Sequence, residues 1–137
     1  MIVLIALVFT LLTLTAQAPA LPPFAGTWVP VEGASADRTL VVAQTAARLT
    51  ITRRGDDPPI EVNLDGTATK QTDELVKVTA KRAGDALVLT IVTTTNFGDT
   101  SIRNETWTLD ATGRLVVERD RQRPARGIER VVYRRSP

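Results

Sequence analysis

The sequence predicts an all-β domain, a sandwich or a barrel, folded as a meander of antiparallel hairpins. Three observations predict it. After Pro23 the chain shows no helical period, only short runs rich in Val, Thr, Ile and Leu split by Gly, Asp, Asn and Pro. Within those runs apolar and polar residues alternate, as a sheet with one wet face requires. Two turns, read separately, each set a register that puts apolar residues opposite apolar residues.

The runs place strands near 24–30, 38–43, 48–54, 59–64, 74–82, 86–95, 100–109, 114–122 and 128–135. Residues 33–37 and 44–47 are connections, and the Gly and Pro of 55–59 and 123–127 mark loops. In the fourth run Ile60, Val62 and Leu64 share one face, and in the fifth Val76, Val78 and Ala80 oppose Lys77, Thr79 and Lys81.

The turns set the pairing. Gly84-Asp85 suits a two-residue hairpin loop, since Gly accepts the positive φ of a type II′ turn. It pairs Ala83 with Ala86, and so Ala80 with Leu89 and Val78 with Ile91. "DATGR" suits a three-residue loop with Gly113 in the left-handed position. Asp110 then pairs with Arg114, Leu109 with Leu115 and Trp107 with Val117.

Run further from its turn, the second register sets Glu105 opposite Arg119 and Arg103 opposite Arg121. All four share the face of Trp107, Leu109, Leu115 and Val117. Thr93 and Thr95 extend the inward phase of Leu89 and Ile91 to join them, and Trp107, Leu89, Val117 and Leu87 would be the lining. If that face is interior, the fold holds a pocket with an apolar floor and a charged mouth. Arg103, Glu105, Trp107, Arg119, Arg121, Leu89 and Val117 are therefore the candidate ligand-binding residues. Arginine forks suit carboxylates and other anions, and pockets combine apolar walls with a few placed polar groups. The plainer reading of Glu105–Arg119 is a cross-strand ion pair of less than about 1 kcal/mol.

Composition narrows the chemistry. With no His and no Cys, the usual general base and thiolate nucleophile are missing, as are the usual zinc ligands. No catalytic residue, metal site or cofactor is expected, and the chain reads as a non-enzyme. A hydrolase using only carboxylates and Arg would need Glu105. Asp56-Asp57 is explained by a turn, and Asn104-Glu105-Thr106 matches the glycosylation pattern by chance. Net charge is +2, yet residues 103–137 hold nine Arg against five acids. Those arginines alternate with acids, as on solvated strand faces. The few aromatics form no stacking platform, so a nucleic-acid partner is not expected. Phe97, in the loop "NFGD", is a possible exposed contact.

The first charged side chain is Glu32. The apolar run before it, ending in small residues and prolines, reads as a signal peptide over 1–20 cleaved after Ala18 or Ala20. The domain is then 21–137, secreted or periplasmic, monomeric, and without a membrane span after cleavage. The rival is a retained N-terminal anchor, since the run approaches the roughly 20 residues that span a bilayer.

"FAGTW" resembles the G-x-W motif of lipocalin-type (calycin) barrels. The resemblance implies that Trp28, with Gly26, closes one barrel end beneath an Arg from the last strand, here Arg134 or Arg135. The layout "GDALVLTI", "ETWTLDATGRLVV" and "VYRR" also resembles small exported bacterial proteins of uncharacterised function. The shorter chain departs from true lipocalins, with no visible C-terminal helix and no clear second motif. The expectation is an up-and-down antiparallel barrel of about eight to nine strands, its interior nearly filled or holding one small ligand. The expected function is binding of a small apolar or amphipathic molecule. The alternative is an envelope protein–protein interaction module acting through the basic hairpin (Arg119 to Arg130) or the 96–99 loop.

Overall fold

The computed structural model describes residues 21–33, 38–53, 58–71 and 75–137, the Lys70 side chain excepted. The segment 1–20, the Asp56-Asp57 pair and part of the 33–37 connection lie outside them. The strands are β1 (Gly26–Glu32), β2 (Leu40–Gln44), β3 (Arg48–Arg53), β4 (Ile60–Asn63), β5 (Thr69–Lys70), β6 (Val76–Ala83), β7 (Ala86–Thr94), β8 (Thr100–Leu109), β9 (Leu115–Arg123) and β10 (Gly127–Arg135). All nine expected runs are present, and the two-residue β5 is additional.

The strands form one antiparallel sheet in the order β4-β3-β2-β1-β10-β9-β8-β7-β6-β5. Each strand pairs with its neighbour in sequence except at β4–β5, and β1 also pairs with β10, so the meander curls into a nearly closed up-and-down barrel. No helix among the described residues is long and apolar enough to cross a membrane.

The remaining seam, between β4 and β5, is stitched by side chains. The Gln71 carboxamide accepts from the Glu61 N–H at 2.9 Å and donates to the Glu61 carbonyl at 2.7 Å. It thus makes the two bonds a neighbouring strand would make. Thr69 Oγ1 accepts from the Asn63 N–H at 2.9 Å. Edge strands otherwise present unpaired backbone groups.

Both turns adopt the expected register. Ala83 pairs with Ala86, Ala80 with Leu89 and Val78 with Ile91. Gly84 has φ +60°, and among the described residues none other than glycine has positive φ, which makes the turn type II′. Gly113 has φ +80°, and Asp110 pairs with Arg114 through a 2.9 Å backbone bond. Asp110 Oδ1 also accepts from the N–H groups of Thr112 and Arg114, each at 2.9 Å, which locks the loop.

Inward residues fill the barrel. Phe24, Trp28, Leu49, Val62, Val78, Leu87, Leu115, Val131 and Tyr133 are fully buried. Phe24 meets Trp107 edge-to-face at 5.9 Å between centroids, a preferred aromatic geometry.

Candidate functional site

The two ends of the barrel differ. At one end lie the turns after β2, β6 and β8 and the start of β1. Arg135 of β10 stacks over Trp28, 4.3 Å from the ring centroid. Its guanidinium also donates to the carbonyls of Ala25 and, at 3.2 Å, of Pro23. A side chain at position 26 would stand 2.7 Å from Arg135 Nη1, so glycine leaves the space that the arginine occupies. Trp28 Nε1 donates to the Phe24 carbonyl at 2.9 Å. Gln44 holds the same segment, accepting from the Phe24 N–H and donating to the Pro22 carbonyl. Residues 22–25 are thereby strapped across this end. Arg135, rather than Arg134, is the partner of Trp28. The two are consecutive in a strand, and Arg135 sits opposite Trp28 in the ladder while Arg134 sits opposite Val29. A hollow of about 450 Å³ borders the strap, lined by Leu21, Pro23, Gln44, Leu64 and Arg82 among others. It holds no cluster of polar groups comparable to the other end.

At the other end the inward phases of β3, β8, β9 and β10 stop being apolar. On β8, Trp107 gives way to Glu105 and Arg103. On β9, Val117 gives way to Arg119 and Arg121, with Glu105 opposite Arg119 and Arg103 opposite Arg121. A bulge at Gln122 shifts the register only beyond these pairs, since Ile102 faces Arg123. On β10, Tyr133 and Val131 give way to Glu129 and Gly127, which face Arg119 and Arg121.

Glu105 is the centre of this end, with only 3% of its side chain exposed. Three guanidinium groups surround it: Arg119 Nε at 3.5 Å, Arg53 Nη2 at 3.7 Å and Arg103 Nη2 at 3.7 Å. Arg119, 9% exposed, also pairs with Glu129 at 3.5 Å and donates to the buried Tyr133 hydroxyl at 3.3 Å. This differs from an ordinary solvated ion pair because one buried carboxylate serves three cations, the buried Arg119 and the partly exposed Arg53 and Arg103. Arg53 Nε, Arg103 Nε and Trp107 Nε1 are buried donors without a hydrogen-bond partner. Such donors are uncommon in folded proteins and cost free energy when unmet.

Arg103, Arg119, Arg121, Gly127, Ile128 and Glu129 line a pocket of about 370 Å³ at this mouth. Gly127 makes room for it: a Cβ there would stand 3.1 Å from Arg121 Nη2. Arg53, Arg103, Arg119 and Arg121 face two acids, Glu105 and Glu129, so the mouth carries a net positive charge.

The structure brings Arg103, Glu105, Arg119 and Arg121 together. It places Trp107, Leu89 and Val117 below them in the packed core, each at most 1% exposed, with Leu87 fully buried. Surface that small leaves no water-sized space against those side chains. Thr93 lies on β7 between Val76 and Ser101, while Thr95 is in the following turn. Two members were missed by sequence reasoning, Arg53 and Glu129. One more step of the alternation Leu49, Ile51 reaches Arg53, and one step back from Tyr133 and Val131 reaches Glu129.

No protein-family model matches the chain, and no curated protein matches it.

Proposed function

We propose that this chain is an exported, non-enzymatic binding protein of lipocalin-like type. Its ligand is a small amphipathic molecule whose anionic head sits among Arg103, Arg119 and Arg121. The observation that carries this reading is the excess of arginine around a pocket in the barrel mouth. Glu105 supports it as an internal counter-ion: its carboxylate lies 3.5–3.7 Å from three guanidinium groups, which gather around it. An anion entering beside that cluster meets guanidinium groups already fixed in place, so little side-chain entropy is lost on binding. A carboxylate or phosphate would also offer an acceptor beside Arg103, whose Nε–H has no hydrogen-bond partner. The filled core directs the ligand's apolar part along the mouth, against Ile128, and not down the barrel axis.

The test uses dodecyl phosphate, laurate and dodecyltrimethylammonium, each below its micellar concentration, with the purified protein. The two anions raise Tm in a concentration-dependent way, as any ligand selective for the native state does. The cation does not. Arg121→Glu, at an exposed position, weakens the anions about tenfold or more without lowering the unliganded Tm. Equal effects of cation and anion, or no effect of either, would defeat the proposal.

A further inference from the structure

The structure exposes few large apolar side chains among its described residues, and they are unevenly placed. Of Val31, Val41, Leu75, Phe97 and Ile128, all but Val41 belong to the arginine-bearing end. Val31 is near the end of β1, Leu75 precedes β6, Phe97 tips the β7–β8 turn and Ile128 is the second residue of β10. Phe97 is 96% exposed and Ile128 75% exposed. Scattered single hydrophobics on a surface need no explanation, but a group of them on one rim does.

Phe97 is not on a slack loop. Gly98 N–H donates to the Thr95 carbonyl at 2.9 Å, Thr95 N–H to the Asp99 carbonyl at 2.8 Å, and Asp99 N–H to Thr95 Oγ1 at 3.1 Å. The turn fixes the backbone that carries the exposed phenyl ring at its tip. Beside it, the end of β9, the following turn and the first half of β10 carry Arg121, Arg123, Arg126 and Arg130, all exposed. The β7–β8 turn and the β9–β10 turn are neighbours, since Ser101 Oγ donates to the Arg123 carbonyl at 3.3 Å. Residues 95–103 and 119–130 together hold six Arg against Asp99, Asp120 and Glu129, and Glu129 is engaged by Arg119.

We propose that this rim docks the barrel mouth onto an anionic lipid surface, with Phe97 and Ile128 entering the headgroup region and the flanking arginines meeting lipid phosphates. A protruding aromatic beside a basic segment is the chemistry that anchors proteins at such an interface. A second copy is disfavoured as occupant, because it would set these arginines against one another. A nucleic acid is disfavoured because a lone ring is no stacking platform. Docking this way turns the arginine pocket toward the bilayer, but the inference holds whatever fills that pocket.

The chain has no cysteine, so a single one can carry a polarity-sensitive fluorophore. The full chain is labelled at Phe97→Cys and, separately, at Ala111→Cys in the β8–β9 turn at the opposite end. Each is mixed with vesicles of phosphatidylcholine alone or with 30% phosphatidylglycerol (about that share supplies a negative surface potential). The label at 97 shifts to the blue with the anionic vesicles and loses the shift at high salt, while the label at 111 does not move. Reversing Arg123 and Arg126 to Glu weakens the partition at least about fivefold for each arginine, with Tm unchanged. A label at 97 that never shifts overturns the proposal. So do equal shifts at 97 and 111, equal shifts on neutral and anionic vesicles, or a shift that tracks protein concentration without vesicles. Because the readout is local, the apolar N-terminal run cannot mimic the expected result. Small-anion binding is measured without vesicles, so either result can fail while the other stands.

Discussion

Removing the Glu105 carboxylate takes a shared counter-ion from three guanidinium groups, the buried Arg119 and the partly exposed Arg53 and Arg103. Breaking a buried ion pair costs about 3–5 kcal/mol where the survivor is left dry and unpaired. Here Arg119 keeps Glu129 while Arg53 and Arg103 reach solvent, which brings the cost down to about 1–3 kcal/mol. Glu105→Ala therefore lowers stability to denaturant by that amount. A loss below about 1 kcal/mol would return the cluster to the class of surface pairs. At the closed end the expectation is a contrast between neighbours. Arg135→Ala loses the stacking on Trp28 and the bonds to the residue 22–25 strap, about 1–2 kcal/mol together. Arg134→Ala, one residue away and facing out, stays within about 0.5 kcal/mol of the parent. The partnership of Glu105 and Arg119 was legible in the sequence because a single turn sets it. Its burial was not, because that depends on Arg53, which arrives from a strand more than fifty positions away in the chain once the barrel closes.

Hairpins are the elements in which sequence and structure agree most closely. Gly84-Asp85 and Asp110 to Arg114 carry local instructions, and each admits one register that keeps the apolar face inside. The Thr112 hydroxyl, donating to Asp110, leads the interactions that hold its carboxyl below the ordinary 3.8, and Thr67 does the same for Asp65. A lowered folded value means the carboxylate form is favoured by folding. That contribution is complete above the ordinary value and is lost as pH falls through the lower one. In Asp110→Asn the Tm is accordingly lower than the parent's at pH 7, and the gap narrows as pH drops below 3.8. A gap constant with pH would show that the charge is not what locks the loop. The β4–β5 seam was the illegible element. A two-residue strand has no period to read, and nothing local marks Gln71 as a substitute for a strand. Gln71→Ala should speed amide exchange at Glu61 and Asn63 at least about tenfold, the equivalent of roughly 1.4 kcal/mol of local opening. Amides in β8 and β9, far from the seam, keep their protection.

Across the whole molecule one barrel serves two ends with different tasks. Trp28, Arg135 and the residue 22–25 strap shut one end, and the aromatic and aliphatic core fills the middle. Alternation along β3, β8 and β9 then delivers arginines to the open end, where Glu105 gathers Arg53, Arg103 and Arg119. Period-two patterning foretold that polarity, since the strands that carry the core carry the charges one step further. Whether the interior is filled was beyond its reach, because volume depends on how all the strands close together. The central claim is that the open end receives an anion. A crystal structure of the protein with dodecyl phosphate tests it most directly. The account predicts the phosphate within about 2.7–2.9 Å of guanidinium nitrogens from Arg103, Arg119 or Arg121, with Glu105 still buried among its arginines. A phosphate found in the hollow beside Leu21 and Arg82, or an unoccupied mouth at saturating ligand, would contradict it.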